Sequence, residues 1–147
     1  MDRSDSLPSV SLVNGQRRIK VPLADLRALA EGAVEPCAKA RGPQPAVLPS
    51  LSEIVVSLVS DSVSARLHRE FGGVPGPTDV ITFQHGEIVI SAETAARQAR
   101  ANREPLRREI LRYIVHGLLH LNGHRDDTAA RRKKMWAAQE HIVKRLA

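Results

Sequence analysis

His116 and His120 lie four residues apart in the stretch Leu106–Leu121 of a chain of 147 residues. On a helix that spacing stacks both imidazoles on one side, so both can reach a single ion. Pro105 suits the opening of such a helix and Gly123 its end. The chain can therefore turn back just past His120, and the next residues are His124, Arg125, Asp126 and Asp127, several of them possible ligands. Two imidazoles from a helix and one group from a returning loop leave a fourth coordination position open. That is the layout of a catalytic zinc site rather than a structural one. Leu106, Ile110, Tyr113, Ile114, Gly117, Leu118 and Leu121 form an apolar arc beside the pair, which suits the wall of a pocket.

The spacing also resembles the metzincin pattern HExxHxxGxxH, in which Asp126 would take the place of the last ligand. Gly117, however, stands where that chemistry needs a Glu as general base, which disfavours a peptidase. Cys37 is the only cysteine, excluding a disulfide framework and any CxxC zinc site and fitting a reducing cytoplasm. His68, His85 and His141 lie outside the motif and read as surface or turn residues.

The elements that must hold these residues follow from periodicity. Val10–Val21 reads as a strand or short hairpin around Asn14-Gly15. Pro22 opens a helix, with Leu23, Leu26, Leu29 and Ala30 at helical spacing, running to the Ala-rich stretch before Arg41. Ile54–Val59 is a β-branched strand, followed by a helix capped at Asp61 or Ser62 and running through Phe71 to Gly72-Gly73. Asp79–Phe83 and Glu87–Ile90 are close enough to pair as a hairpin. Ser91 caps the first of three helices, over 92–102, 105–122 and 127–146. Met135, Trp136, Ile142 and Leu146 should pack the last of these on the core. The order predicts one domain over residues 1–147 of mixed α/β (α+β) class: a small four-stranded sheet with about five helices, the histidine-bearing helix central.

Aromatic residues make up 3% of the chain and apolar residues 42%, so the core must be built from Leu, Ile, Val and Ala. No run approaches the roughly 18 apolar residues of a membrane span, and a cytoplasmic protein is expected. The net charge of +6 is unevenly placed: residues 97–147 hold 13 Lys/Arg against 5 Asp/Glu, a net +8, while the preceding residues hold 9 against 11. Such a field attracts polyanions, nucleic acid above all. Arg131, Arg132, Lys133 and Lys134 are its densest run, read either as an RNA or ribosome contact or as a solvated helix face.

His116–Asp126, HGLLHLNGHRD, resembles the HGxLHLxGYDH signature of the YbeY endoribonuclease and ribosomal-RNA maturation family. Pro77–Phe83, PTDVITF, is similar to that family's PTDVLSF, Gly86–Ser91, GEIVIS, to its GDIVIS, and Gln98-Ala99 falls where its third helix carries QA. The resemblance covers about residues 50–146. It implies a single-strand-specific, zinc-dependent endoribonuclease acting in ribosomal-RNA processing and ribosome quality control. The small ribosomal subunit and its assembly factors are the implied partners. Aligned on the motif, the family's third histidine ligand falls on Asp126 and its Tyr on His124. Asp126 is then the first choice as third ligand beside His116 and His120, with His124 the alternative. The family's conserved Arg falls on Gly72, leaving Arg69, or Arg66 one turn earlier, as the candidate phosphate contact. That gap supports a second reading, a non-catalytic, metal-stabilised ribosome-assembly factor that binds RNA through its basic helices. A metalloendopeptidase-like hydrolase is the third.

Overall fold

The computed structural model of the chain describes residues 7–72 and 79–147. It contains four strands, β1 (Ser9–Asn14), β2 (Glu53–Val59), β3 (Val80–Phe83) and β4 (Glu87–Ser91), and five α-helices. The helices are α1 (Leu23–Lys39), α2 (Asp61–Leu67), α3 (Ala92–Ala101), α4 (Leu106–Leu121) and α5 (Ala129–Leu146). The sheet runs β1-β2-β4-β3, with β1, β2 and β4 parallel and β3 antiparallel to β4. This is the mixed fold with four strands and five helices that the periodicity predicts.

Ile54, Val56 and Leu58 alternate along β2 and are fully buried, while Val55, Ser57 and Val59 are partly covered. A period of two commits one face of the strand to the helices packed on it. In α1 the buried set Leu26, Ala30, Ala33, Val34 and Cys37 marks a single stripe. By contrast α4 is buried on nearly all sides, from Ile110 through Leu121 with few breaks. It packs against α1, α3, α5, β3 and β4, so the helix that carries the histidines is the central one.

Gly117 lets α4 approach the sheet. A Cβ there would lie 2.8–2.9 Å from three side-chain atoms of Ile88 on β4. Side chains rather than backbone set that limit. The α4 C-terminus is sewn to the segment after α1. Val47, Gly42 and Gln44 donate backbone N–H groups to the carbonyls of Leu121, Asn122 and Gly123 at 2.8, 3.1 and 3.0 Å. The buried Asn122 amide donates to the carbonyls of Cys37, Ala38 and Ala40 at the end of α1. Carbonyls in the last turn of a helix lack intrahelical partners, and the side chain supplies one here, joining the Ala40 N–H at the Cys37 oxygen.

Three sequence expectations are corrected. Residues 10–21 do not form a hairpin: only Ser9–Asn14 is strand, paired in parallel with β2 forty residues away. Gly15 then bonds Leu58, and the Gln16 side chain bonds Asn14 and Ile19, closing a loop instead of a return strand. The helix expected over 61–71 is α-helical only to Leu67 and continues as a π-turn over His68–Gly72. Trp136 does not pack on the core with Met135; it is 63% exposed. Gly73, the second residue of the expected helix stop, and the first two residues of PTDVITF, Pro77 and Thr78, lie outside the described residues. Among the described residues no helix is long and apolar enough to cross a membrane.

Candidate metal centre

His116 and His120 project from α4 into a cleft beside β3, and the loop after Gly123 brings Asp126 to them. The two Nε2 atoms are 3.1 Å apart, and Asp126 Oδ2 is 3.8 Å from that of His116 and 3.5 Å from that of His120. Zinc bonds of about 2.0–2.2 Å in tetrahedral geometry give ligand-to-ligand edges of about 3.3 Å. The three edges bracket that value.

The protons on the rings can be assigned from what each Nδ1 faces. His120 Nδ1 lies 3.1 Å from the carbonyl oxygen of His124, which can only accept, so Nδ1 carries the hydrogen. His116 Nδ1 lies 2.8 Å from Gln139 Oε1. The Gln139 amide nitrogen donates to Glu140 Oε2 at 3.0 Å, which fixes the orientation of the amide with its oxygen toward His116. With Nδ1 carrying the hydrogen, the neutral form of each ring turns a bare Nε2 toward the other. Two facing lone pairs at that distance repel unless a cation lies between them, and a neutral imidazole is the form that binds one. Burial first, and the neighbouring His116 second, push the pKa of His120 down and favour that form.

Behind the first residues stands a second tier. Arg112, only 17% exposed, donates to Glu104, Glu109 and Glu140. Glu140 thus couples Arg112 to Gln139, and Gln139 to His116. Partners of this kind fix the tautomer and the ring orientation of a ligand. Gln139→Leu keeps the volume and removes the acceptor. It is expected to weaken zinc affinity about 10–100-fold with little change in helicity, measured by competition with a chromophoric chelator alongside circular dichroism. Unchanged affinity would show that Gln139 does not orient the ring.

The sequence-predicted residues do not all converge. His116, His120 and Asp126 form the only group of three or more possible metal-binding side chains among the described residues. His124 is turned away: it is buried, and its Nε2 donates to the Ala40 carbonyl at 2.7 Å. Its contribution to the cluster is the backbone carbonyl that holds His120. Arg69 and Arg66 are exposed and line neither of the clefts that meet the cluster, whereas Arg132 and Lys133 line the larger one. Gln139 and Glu140 carry no local signal, because their partners on α4 lie 23 and 28 residues away in sequence. Glu109, Arg112 and His116 do share one face of α4, and that spacing could have flagged a polar stripe on a buried helix.

Comparison with known proteins places this geometry in a family. The family model described as Endoribonuclease YbeY matches residues 11–147. A protein named Endoribonuclease YbeY from Moorella thermoacetica is 37% identical over 111 residues, covering 63% of this chain and 71% of the relative. Proteins of the same name from Anaeromyxobacter and Myxococcus xanthus are 38% and 36% identical. The matches to those two take in 63% and 62% of this chain, but only 54% and 35% of the relatives' length. The solution structure of a Thermotoga maritima protein superposes with a TM-score of 0.62 at 26% identity, covering 93% of this chain and 88% of that one. With a match that runs from β1 through the cluster to the last residue, this chain belongs to the endoribonuclease YbeY family.

Proposed function

We propose that the chain is a zinc-dependent endoribonuclease that cuts single-stranded RNA, with ribosomal RNA as its substrate class and the small ribosomal subunit with its assembly factors as its setting in the cytoplasm. The observation that carries this reading is the pair of Nε2 atoms 3.1 Å apart with the Asp126 carboxylate beside them. A divalent cation held there supplies Lewis-acid polarisation of a phosphodiester and acidification of water.

The chain's own residues do the rest. His116 and His120 are held by Gln139 and by the His124 carbonyl, so the site needs no rearrangement to accept an ion. Asp126 contributes a negative charge that offsets part of the ion's. Arg132 and Lys133, at the rim of the larger cleft, are the cations best placed to receive phosphate, a role the sequence pattern offers to Arg69. The surplus of positive charge over residues 97–147 supports a polyanionic substrate.

The direct test is cleavage of a labelled single-stranded RNA before and after chelation. Activity should disappear on verified metal removal, return with micromolar zinc, and be absent on casein. Undiminished cleavage by protein shown to be metal-free would overturn the assignment, and salt-sensitive RNA binding with no turnover would favour the assembly-factor reading.

A further inference from the structure

A cavity of about 530 Å³ opens beside the cluster, with His116 and Asp126 at one end. It falls in the size range of small-molecule sites. Glu109, Arg112, Tyr113 and His116 line it from one face of α4. Seven residues separate Glu109 from His116, so the cavity extends about 10 Å along the helix away from the metal ligands.

Its surfaces differ in chemistry. Trp136, largely exposed on α5, offers an indole on one side, and Arg132 and Lys133 stand at the rim. The floor carries Glu109 and Arg112, and behind it Arg112 is shared with Glu104 and Glu140 as well, so one guanidinium serves three carboxylates. Tyr113 is 4% exposed, and its hydroxyl meets no partner at hydrogen-bonding geometry. Burial first, and the Glu109 carboxylate beside it second, raise the pKa of that hydroxyl, so the cavity meets a protonated donor and a carboxylate side by side.

A phosphate is attracted to the rim and repelled by the floor. A base has the opposite preference: its face stacks on indole, and an amino group on its edge suits a carboxylate. We propose that this cavity is a nucleotide subsite, in which one unpaired base lies against Trp136 with its amino edge at Glu109 and Tyr113 and its phosphate on Arg132 and Lys133. This rests on the reading of the centre as one that acts on single-stranded RNA. Cytosine presents an amino donor beside a ring-nitrogen acceptor, which matches the Glu109 carboxylate and the Tyr113 hydroxyl. Uracil flanks its single N–H with two carbonyl oxygens, which would face the acidic floor. The subsite therefore prefers an amino-bearing base.

Trp136 is the only tryptophan of the chain, so its fluorescence reports a base stacked on it. The zinc-loaded full chain is titrated with cytidine and uridine 5′-monophosphates, whose rings are the same size. Saturable quenching by the cytidine nucleotide at about five-fold lower concentration than by the uridine one is expected. Tyr113→Phe should reduce that ratio while changing thermal stability little, since it removes one hydroxyl and keeps the buried ring. Replacing Arg132 and Lys133 with Ala should make the cytidine nucleotide bind no better than cytidine. No saturable quenching up to millimolar nucleotide, equal affinity for the two bases, or a ratio untouched by Tyr113→Phe would overturn the subsite. If RNA is cleaved but no quenching occurs, the subsite falls and the nuclease reading stands. If quenching discriminates the bases but no RNA is cleaved, the nuclease reading falls and the subsite stands.

Discussion

His116→Ala is expected to empty the metal centre while leaving the fold in place. In the proposed centre His116 is one of two nitrogen donors, and its loss leaves a single imidazole and a half-exposed carboxylate. Second-tier residues typically cost 10–100-fold in affinity, so a ligand should cost more than about 100-fold. Zinc per chain should fall from near one to below a tenth, and chelator-sensitive RNA cleavage should fall to background. The side chain is 27% exposed and packs at a cleft, so circular dichroism should be unchanged. His124→Ala is the informative control, because it removes the hydrogen bond to Ala40 but no ligand. That variant should keep its zinc and lose thermal stability. Full zinc occupancy in His116→Ala, or loss of zinc in His124→Ala with the fold intact, would mean that the ligand set is drawn wrongly.

Gly123→Ala should be strongly destabilising for a single added methyl group. Gly123 has φ +92°, and a Cβ there would sit 2.2 Å from the Gln44 carbonyl oxygen. L-residues pay about 1–2 kcal/mol for a left-handed backbone. Overpacking adds about 1–3 kcal/mol, at the upper end here because the obstacle is backbone and cannot rotate aside. A total of about 3 kcal/mol or more predicts a fall of about 10 °C in Tm. The damage should also reach the centre, since the hydrogen bonds from segment 42–47 hold the chain that carries Asp126 three residues later. Thermal unfolding together with zinc content checks both halves. A Tm within 2 °C of the parent would show that the two backbones separate at little cost.

What was legible in the sequence was what is local. The spacing of His116 and His120 depends on one helix, and the apolar arc beside them fixed which way they face. The Gly123 stop follows from the same few residues, and the family resemblance singles out Asp126 among the loop residues beyond it. What was missed depends on partners far along the chain. Asn14-Gly15 carries a hairpin signal, yet the strand before it finds its partner in β2, with α1 as the crossover between them. No pattern within residues 10–21 distinguishes a return strand from a loop pinned to Leu58. Gln139 reads as an ordinary helix residue because its partner lies 23 positions away. Trp136 has the residue type of a core position, but α5 turns it outward while Met135 beside it is buried. His124 illustrates the opposite error: its residue type suggests a ligand, and its surroundings make it a clamp.

The contact between Gly117 and Ile88 bears on which neighbouring chemistries this scaffold can reach by substitution. Conversion of HGLLH to the HELLH of a zincin requires Glu at position 117. Even the first carbon of that side chain collides with Ile88. Shortening Ile88 alone opens a void in the core, at about 0.5–1.5 kcal/mol for Ile→Val and 2–5 kcal/mol for Ile→Ala. Each change is harmful by itself, and the second relieves the first only when both are present. The two positions should therefore show sign epistasis, so that a path of single, individually tolerated steps toward the peptidase motif is closed by steric exclusion one layer beneath the metal ligands.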